Sequence, residues 1–214
     1  TQAGEYVRFA SAMAEAGVRT QVVTVSEQGG LLLDPLRVFE PGTARQVALG
    51  YLGMVCGLDP TSLETAALDK AVENVVQRTP TVAFPDGADT EVDSAAHPQP
   101  GVTPGAEMAV APTRLRDVLD ELDRLGATGQ QEYRHAPDLA LRLRTISNNR
   151  FGAPAWGDGR SIDTSADCTV IHLPNLAVPR REVLLSEHLS RRLLPEQICS
   201  LGLLYLVAAL ARGI

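Results

Sequence analysis

The spacing of apolar residues in the first forty positions predicts a helix and two short strands. The helical segment has its apolar residues on one face, at Tyr6, Phe9, Ala10, Met13 and Ala14. Glycine at position 17 is a suitable stop for this helix. Residues 21–25 are rich in β-branched side chains, which is typical of a strand. A second apolar piece, 31–33, is closed by Asp34 and Pro35. This alternation predicts an α/β core.

Residues 41–150 follow a helical pattern almost throughout. An apolar helix is predicted over 42–57, and the next one begins with Thr61 and Glu64, which have the spacing of a capping box. A further helix begins at Thr113 and ends at Gly126. Residues 138–147 fit either a helix or a strand, and the proline at position 137 favours a helix.

One stretch inside this helical region has a different composition. Residues 79–112 contain six of the 14 prolines, five acidic residues and neither lysine nor arginine. Such a segment buries too little apolar surface to fold alone, so we expect a mobile acidic linker.

The last third of the chain returns to a mixed pattern. Residues 152–163 are rich in turn formers, and 169–173 form a short apolar strand stopped by a proline. Two helices are predicted next, over 182–193 and from 195 to about 212. The longest apolar stretch, 198–211, is shorter than the roughly 20 residues that cross a bilayer. It therefore predicts a buried helix and no transmembrane segment.

Charge and rare residues exclude several classes of protein. With 19 basic and 26 acidic residues the net charge is −7, and the first 100 residues carry six basic and 13 acidic side chains, so there is no direct nucleic-acid signal. Lys70 is the only lysine and no Gly-Lys-Ser/Thr sequence surrounds it, so the chain has no Walker A motif. The histidines lack metal-ligand spacing, so no metal site is predicted.

Few residues are candidates for chemistry. Three isolated cysteines, Cys56, Cys168 and Cys199, form no Cys-x-x-Cys pair, and we expect buried thiols in a reducing cytoplasm. Residues 31–34 weakly resemble a Walker B strand, but a proline follows in place of a second carboxylate. A strand end before a turn is the favoured interpretation. Two arginine groups, at 134–150 and 180–192, could contact phosphate, although solvated helix faces are favoured.

Three segments carry a resemblance to a known family. They are GEYVRFA at 4–10, then VVTV at 22–25 running into GLLLDPLRVF at 30–39, then FG at 151–152 with GDG at 157–159 leading into VIHLPNL at 170–176. In this order they resemble the conjugation and type IV secretion motor ATPases of the TraC/TraE kind, in the HerA–FtsK superfamily and of actinobacterial type. The resemblance covers nearly the whole chain except residues 79–112.

The resemblance implies an α/β, helix-rich fold: a partial RecA-like (P-loop NTPase) sheet with an all-α insertion. Residues 1–40 and 151–214 would form the two parts of the sheet. Residues 41–150, which include the linker, would form the insertion. In the family, Walker A lies before and Walker B after this region. The chain would then be an internal fragment of an ATP-binding motor. The parent would use ATP and Mg²⁺, whereas this chain alone would be inactive and need no cofactor.

The resemblance also implies site residues and partners. Glu5 would lie near the parent's nucleotide edge, although a helix N-terminal acid favoured by the macrodipole is the stronger interpretation. Arg150 and Arg160 are candidates for phosphate or subunit contacts. The parent would be a cytoplasmic homo-oligomer, held at the inner face of the membrane by secretion or conjugation proteins.

The alternative is a stand-alone or degenerate protein–protein interaction module without ATPase activity. A sheet without its P-loop strand exposes an unpaired edge, so we also expect self-association.

Overall fold

The computed structural model describes residues 2–25, 31–78, 113–149, 152–157, 159–162, 166–186 and 192–213. The first part contains α1 (Gln2–Glu15), β1 (Thr20–Thr24), β2 (Leu31–Leu32), α2 (Pro35–Val38), α3 (Pro41–Cys56) and α4 (Leu63–Arg78). The second contains α5 (Leu115–Ala127), a 3-10 turn (Gln131–Tyr133), α6 (Ala136–Ser147), α7 (Ala153–Trp156), β3 (Arg160–Ser161), β4 (Cys168–His172), α8 (Arg181–Leu185) and α9 (Pro195–Gly213).

Helices α3 to α6 and α9 enclose the main core, which confirms the helix-rich prediction. Helix α3 ends at Gly57, which has a positive φ of 60° that a glycine adopts without strain. Helix α9 packs on α3, where Gly202 lets the Tyr51 ring approach its backbone closely. Trp156 of α7 donates its indole N–H to the Tyr51 hydroxyl at 3.2 Å.

Two helix starts differ from the sequence prediction. Ser62 caps α4, because its Oγ accepts the Thr65 backbone N–H at 3.2 Å. The predicted capping box is therefore wrong, and Thr61 donates its backbone N–H and hydroxyl to Asp59. Helix α5 begins one residue later than predicted, with Arg114 at the N-cap.

The described strands form two separate parallel pairs. β1 pairs with β4 in a register that runs from Thr20 beside Cys168 to Thr24 beside His172. β2 pairs with β3 over two residues, beginning with Leu31 beside Arg160. The predicted RecA-like sheet is therefore wrong. β2 ends at Leu32 because the next backbone amide, Leu33 N–H, donates to the Pro154 carbonyl of α7 at 2.6 Å. This hydrogen bond places the β2–β3 pair next to α7.

Other predictions are confirmed or fall outside the description. Residues 136–147 are a helix rather than a strand, and the C-terminal apolar helix is present. Helix α8 ends at Leu185, earlier than predicted, while 187–191 lie outside the described residues. The predicted linker at 79–112 also lies outside them. None of the described helices is both long and apolar enough to cross a membrane.

Candidate functional site

The residues singled out from the sequence lie on different elements. Glu5 is exposed in the first turn of α1, which packs on β1 and β4. The backbone of Arg160 belongs to β3, which pairs with β2. Arg150 lies outside the described residues.

Two of the three cysteines are thiols of raised pKa, and one histidine has a hydrogen-bond partner. Burial raises the pKa of the Cys56 thiol to about 12 and that of Cys199 to about 11, so neither is a thiolate at neutral pH. Within the described ranges no group of three or more histidine, cysteine or acidic residues could hold a metal ion. His135 accepts a hydrogen bond from Arg134 at the start of α6.

Asp34 is a buried carboxylate that joins two helix starts. Asp34 is 2% exposed and lies two residues after the end of β2. Oδ1 accepts the Leu36 N–H of α2 at 2.9 Å, and Oδ2 accepts the Leu115 N–H of α5 at 2.9 Å. Both oxygens therefore satisfy backbone donors that a helix N-terminus leaves free. The residue that weakly resembled a Walker B acid is a helix cap.

The electrostatics of Asp34 reflect its burial. Desolvation raises the pKa of this carboxyl to about 6, against the two backbone hydrogen bonds and the more distant Arg37, which lower it. Asp117 of α5 adds a small raising effect. No described ion pair compensates the Asp34 charge, so the native protein favours its neutral form below about pH 6.

Glu121 is a second buried carboxylate, and it is fully hydrogen-bonded. It lies on α5 and is 2% exposed. It accepts from Asn74 at 2.6 Å and from Arg124 at 2.8 and 2.5 Å, and it pairs with Arg78 at 2.7 Å. These donors hold the pKa of its carboxyl at about 2. The Glu121 carboxylate therefore links the C-terminal end of α4 to α5 through Asn74 and Arg78.

The third feature is an apolar face on α1 that the rest of the described chain leaves uncovered. The stripe predicted from the sequence is present, but only Ala10 of it is buried. Tyr6 is 63% exposed and Phe9 53% exposed, and Val7 beside them is also exposed. Aromatic side chains at helical spacing are normally core residues, so this face is atypical of a complete domain surface.

The strand pair under α1 is also incomplete. Val22 of β1 is 45% exposed, whereas Val23 on the opposite face packs against the main core. Parallel strands occur almost only in sheets that are covered on both faces. Among the described residues, no strand pairs with either outer edge of β1 and β4. We define α1 together with β1 as the α1–β1 surface, and it is the candidate functional site.

Sequence reasoning missed the roles of Asp34 and Glu121. The Asp-Pro pair at 34–35 is a typical helix start, which could have identified Asp34 as a cap. Glu121 lies between Val118 and Leu122 on an apolar stripe, where an acid is unusual. No local signal identifies its partners, because Asn74 and Arg78 lie more than forty positions earlier.

No protein-family model, no curated protein and no solved structure matches this chain.

Proposed function

We propose that this chain is a protein–protein interaction module whose contact surface is the α1–β1 surface. The observation that carries the proposal is the exposure of Tyr6 and Phe9 on a helix face that has the spacing of a core face. Interface centres are enriched in aromatic residues of this kind. Helices α3 to α6, which we call the helical unit, serve as the rigid support for this surface.

The buried polar groups support this proposal over an enzymatic role. The carboxylate oxygens of Asp34 and Glu121 all accept hydrogen bonds from donors within the chain. A general acid or base must instead reach the proton that it transfers, at about 2.6–3.2 Å from the substrate atom. Both carboxylates are at least 98% buried, so their interactions stabilise the fold.

A site-specific photo-crosslinker tests the module. A photoreactive phenylalanine analogue at Phe9 should give a discrete crosslinked product in cells, because this side chain would lie in the contact. The matched control carries the analogue at Leu141 of α6, which is 64% exposed against 53% for Phe9. Equal, diffuse labelling from both positions would contradict the proposal.

A second candidate is the motor hypothesis, in which this chain is one part of an ATP-driven transfer or secretion protein. One observation favours it: both parallel strand pairs, β1–β4 and β2–β3, bring together chain segments on either side of the helical unit. The motor hypothesis expects a helical insertion between two such segments. ATP and Mg²⁺ would then bind outside this chain. Magnesium-dependent ATPase activity of the purified chain would contradict this hypothesis.

The setting of the module follows from the same two proposals. We place it in the cytoplasm, where unpaired thiols such as Cys56 and Cys199 remain reduced. Under the motor hypothesis it would reach the inner face of the membrane through secretion or conjugation proteins, as part of a homo-oligomer.

A further inference from the structure

We propose that the outer edge of β1 pairs with the same edge of a second copy of this chain, which gives a twofold dimer with a continuous sheet β4–β1–β1–β4. The proposal rests on the interaction module proposed above and names its partner. It is argued from the backbone direction of β1, the sequence of β1 and the exposed face of α1.

The backbone hydrogen bonds fix which residues of β1 face outward. Cys168 N–H donates to the Arg19 carbonyl at 3.2 Å, and Val25 N–H donates to the His172 carbonyl at 2.9 Å. In a strand, alternate residues direct their N–H and C=O groups to opposite sides. The residues between these two bonds therefore alternate, so that Thr20, Val22 and Thr24 direct their backbone groups away from β4. None of the described strands accepts them.

The sequence of β1 suits pairing with itself. It reads TQVVT and contains none of the charged residues or prolines that protect sheet edges. A twofold axis at Val22 places Val22 opposite its own copy and Thr20 opposite Thr24 of the second copy. The residues whose backbone groups point away from β4 then lie opposite each other. Each of the three resulting residue pairs can form two N–H···O=C hydrogen bonds, which gives six in total. Valine–valine and threonine–threonine pairs are favourable cross-strand neighbours.

The charges next to the strand do not oppose this arrangement. Arg19 precedes β1 and pairs with Asp167 at 3.0 Å, so the positive charge at this end is compensated within the chain. In the twofold register Arg19 lies opposite Val25 of the second copy, and no like charges face each other along β1.

Helix α1 supplies the apolar contact that a strand pair alone lacks. It packs on β1 and β4, so the dimer carries two copies of α1 on one four-stranded sheet. Each copy leaves Tyr6 and Phe9 exposed, and a buried aromatic side chain covers about 150–250 Å². Contact between these rings across the axis would add apolar burial to the six backbone hydrogen bonds that the three residue pairs supply. The interface remains small, so we expect affinity in the micromolar range.

The first test is the mass of the chain in solution and its response to a charge on β1. Light scattering from about 10 µM to about 500 µM should show a rise from 22.8 kDa towards twice that mass. Val22→Lys places like charges opposite each other and should leave a monomer with unchanged circular dichroism and melting temperature. The control Leu185→Lys, at a more exposed position on α8, should dimerise like the parent.

The second test reads the register directly. In Val22→Cys the two Cα atoms would lie about 5.5 Å apart, within the range of a disulfide. In Thr24→Cys they would lie about 13 Å apart, beyond that range. Mild oxidation should therefore crosslink the first variant and not the second. The parent, treated in the same way, reports any crosslink through its native cysteines.

Two results would overturn the dimer. One is a monomer at every concentration without a Val22→Cys crosslink. The other is a dimer that Val22→Lys leaves intact. In either case, a discrete photo-crosslink from Phe9 to a different protein would still support the interaction module. If that photo-crosslink is also missing, both proposals are contradicted.

Discussion

The Glu121 cluster gives a quantitative test of what holds the helical unit together. Glu121→Gln keeps the volume of the side chain and removes its charge. The amide nitrogen of glutamine would face the donors of Asn74, Arg78 or Arg124, so at least one hydrogen bond becomes a donor–donor contact. Both arginine side chains are more than half exposed, so they stay hydrated in the variant.

The magnitude follows from the acidity of the carboxyl. A fall in the pKa of Glu121 from 4.5 to about 2 corresponds to about 3 kcal/mol of native stability. A folded-state pKa below the unfolded one stabilises the protein above about pH 4.5, and this stabilisation is lost as the pH falls towards 2. At pH 7 we therefore expect Glu121→Gln to lower the free energy of unfolding by about 3 kcal/mol and Tm by about 6–12 °C.

Urea unfolding of the parent and the variant from pH 7 to pH 3 measures both the size and the pH dependence. The difference between the two proteins should be full at pH 7 and shrink below about pH 4.5. Asp120→Asn, on the same helix with an 85% exposed side chain, is the matched control and should change stability by less than about 0.5 kcal/mol. A Glu121→Gln loss as small as that of the control would refute this reasoning, as would a difference that does not vary with pH.

Two further predictions concern packing and a second carboxyl. Gly202→Ala places a methyl group 2.7 Å from the buried Tyr51 ring, so overpacking should exceed the gain in helix propensity and lower the free energy of unfolding by about 1–2 kcal/mol. Gly50→Ala places a methyl group within clashing distance of the hydroxyl at the far end of the half-buried Tyr205 side chain, which can rotate aside. Its effect in the same urea experiment should therefore lie between zero and about 1 kcal/mol of added stability. Because the folded pKa of Asp34 is raised from 3.8 to about 6, its neutral form stabilises the protein fully below about pH 3.8, and this stability is lost as the pH rises through 6. An NMR titration of the Asp34 carboxyl carbon should give a midpoint near pH 6, and a midpoint near 4 would contradict the burial argument. Asp34→Asn should remove the fall in the free energy of unfolding between about pH 3.8 and pH 6.

The long helices were predictable from the sequence because periodicity repeats over several turns. Helices α3, α5, α6 and α9 lie where their apolar stripes indicate, and β1 and β4 lie within a residue of their predicted limits. Helix starts were less accurate, since Ser62 and Thr61 are both good capping residues and only the structure shows which one is used.

Strand pairing was not predictable, because the partners lie far apart along the chain. Thr20 pairs with Cys168, and no local pattern records that register. The family resemblance implied a RecA-like sheet, and the described strands do not form that sheet. Likewise the spacing of Tyr6 and Phe9 placed both residues on one apolar face of the first helix. Periodicity locates an apolar face and does not show whether this chain supplies the surface that covers it.

The two buried carboxylates have a consequence for how the chain can be divided. Asp34 binds the Leu115 amide and Glu121 binds Arg78, so each contact joins residues before position 79 to residues after position 112. Both strand pairs join the same two portions. These contacts therefore join the two portions through residues outside 79–112. Separate polypeptides of residues 1–78 and 113–214 would each carry one side of these contacts, which makes the pair a starting point for a split reporter that reassembles without a covalent link.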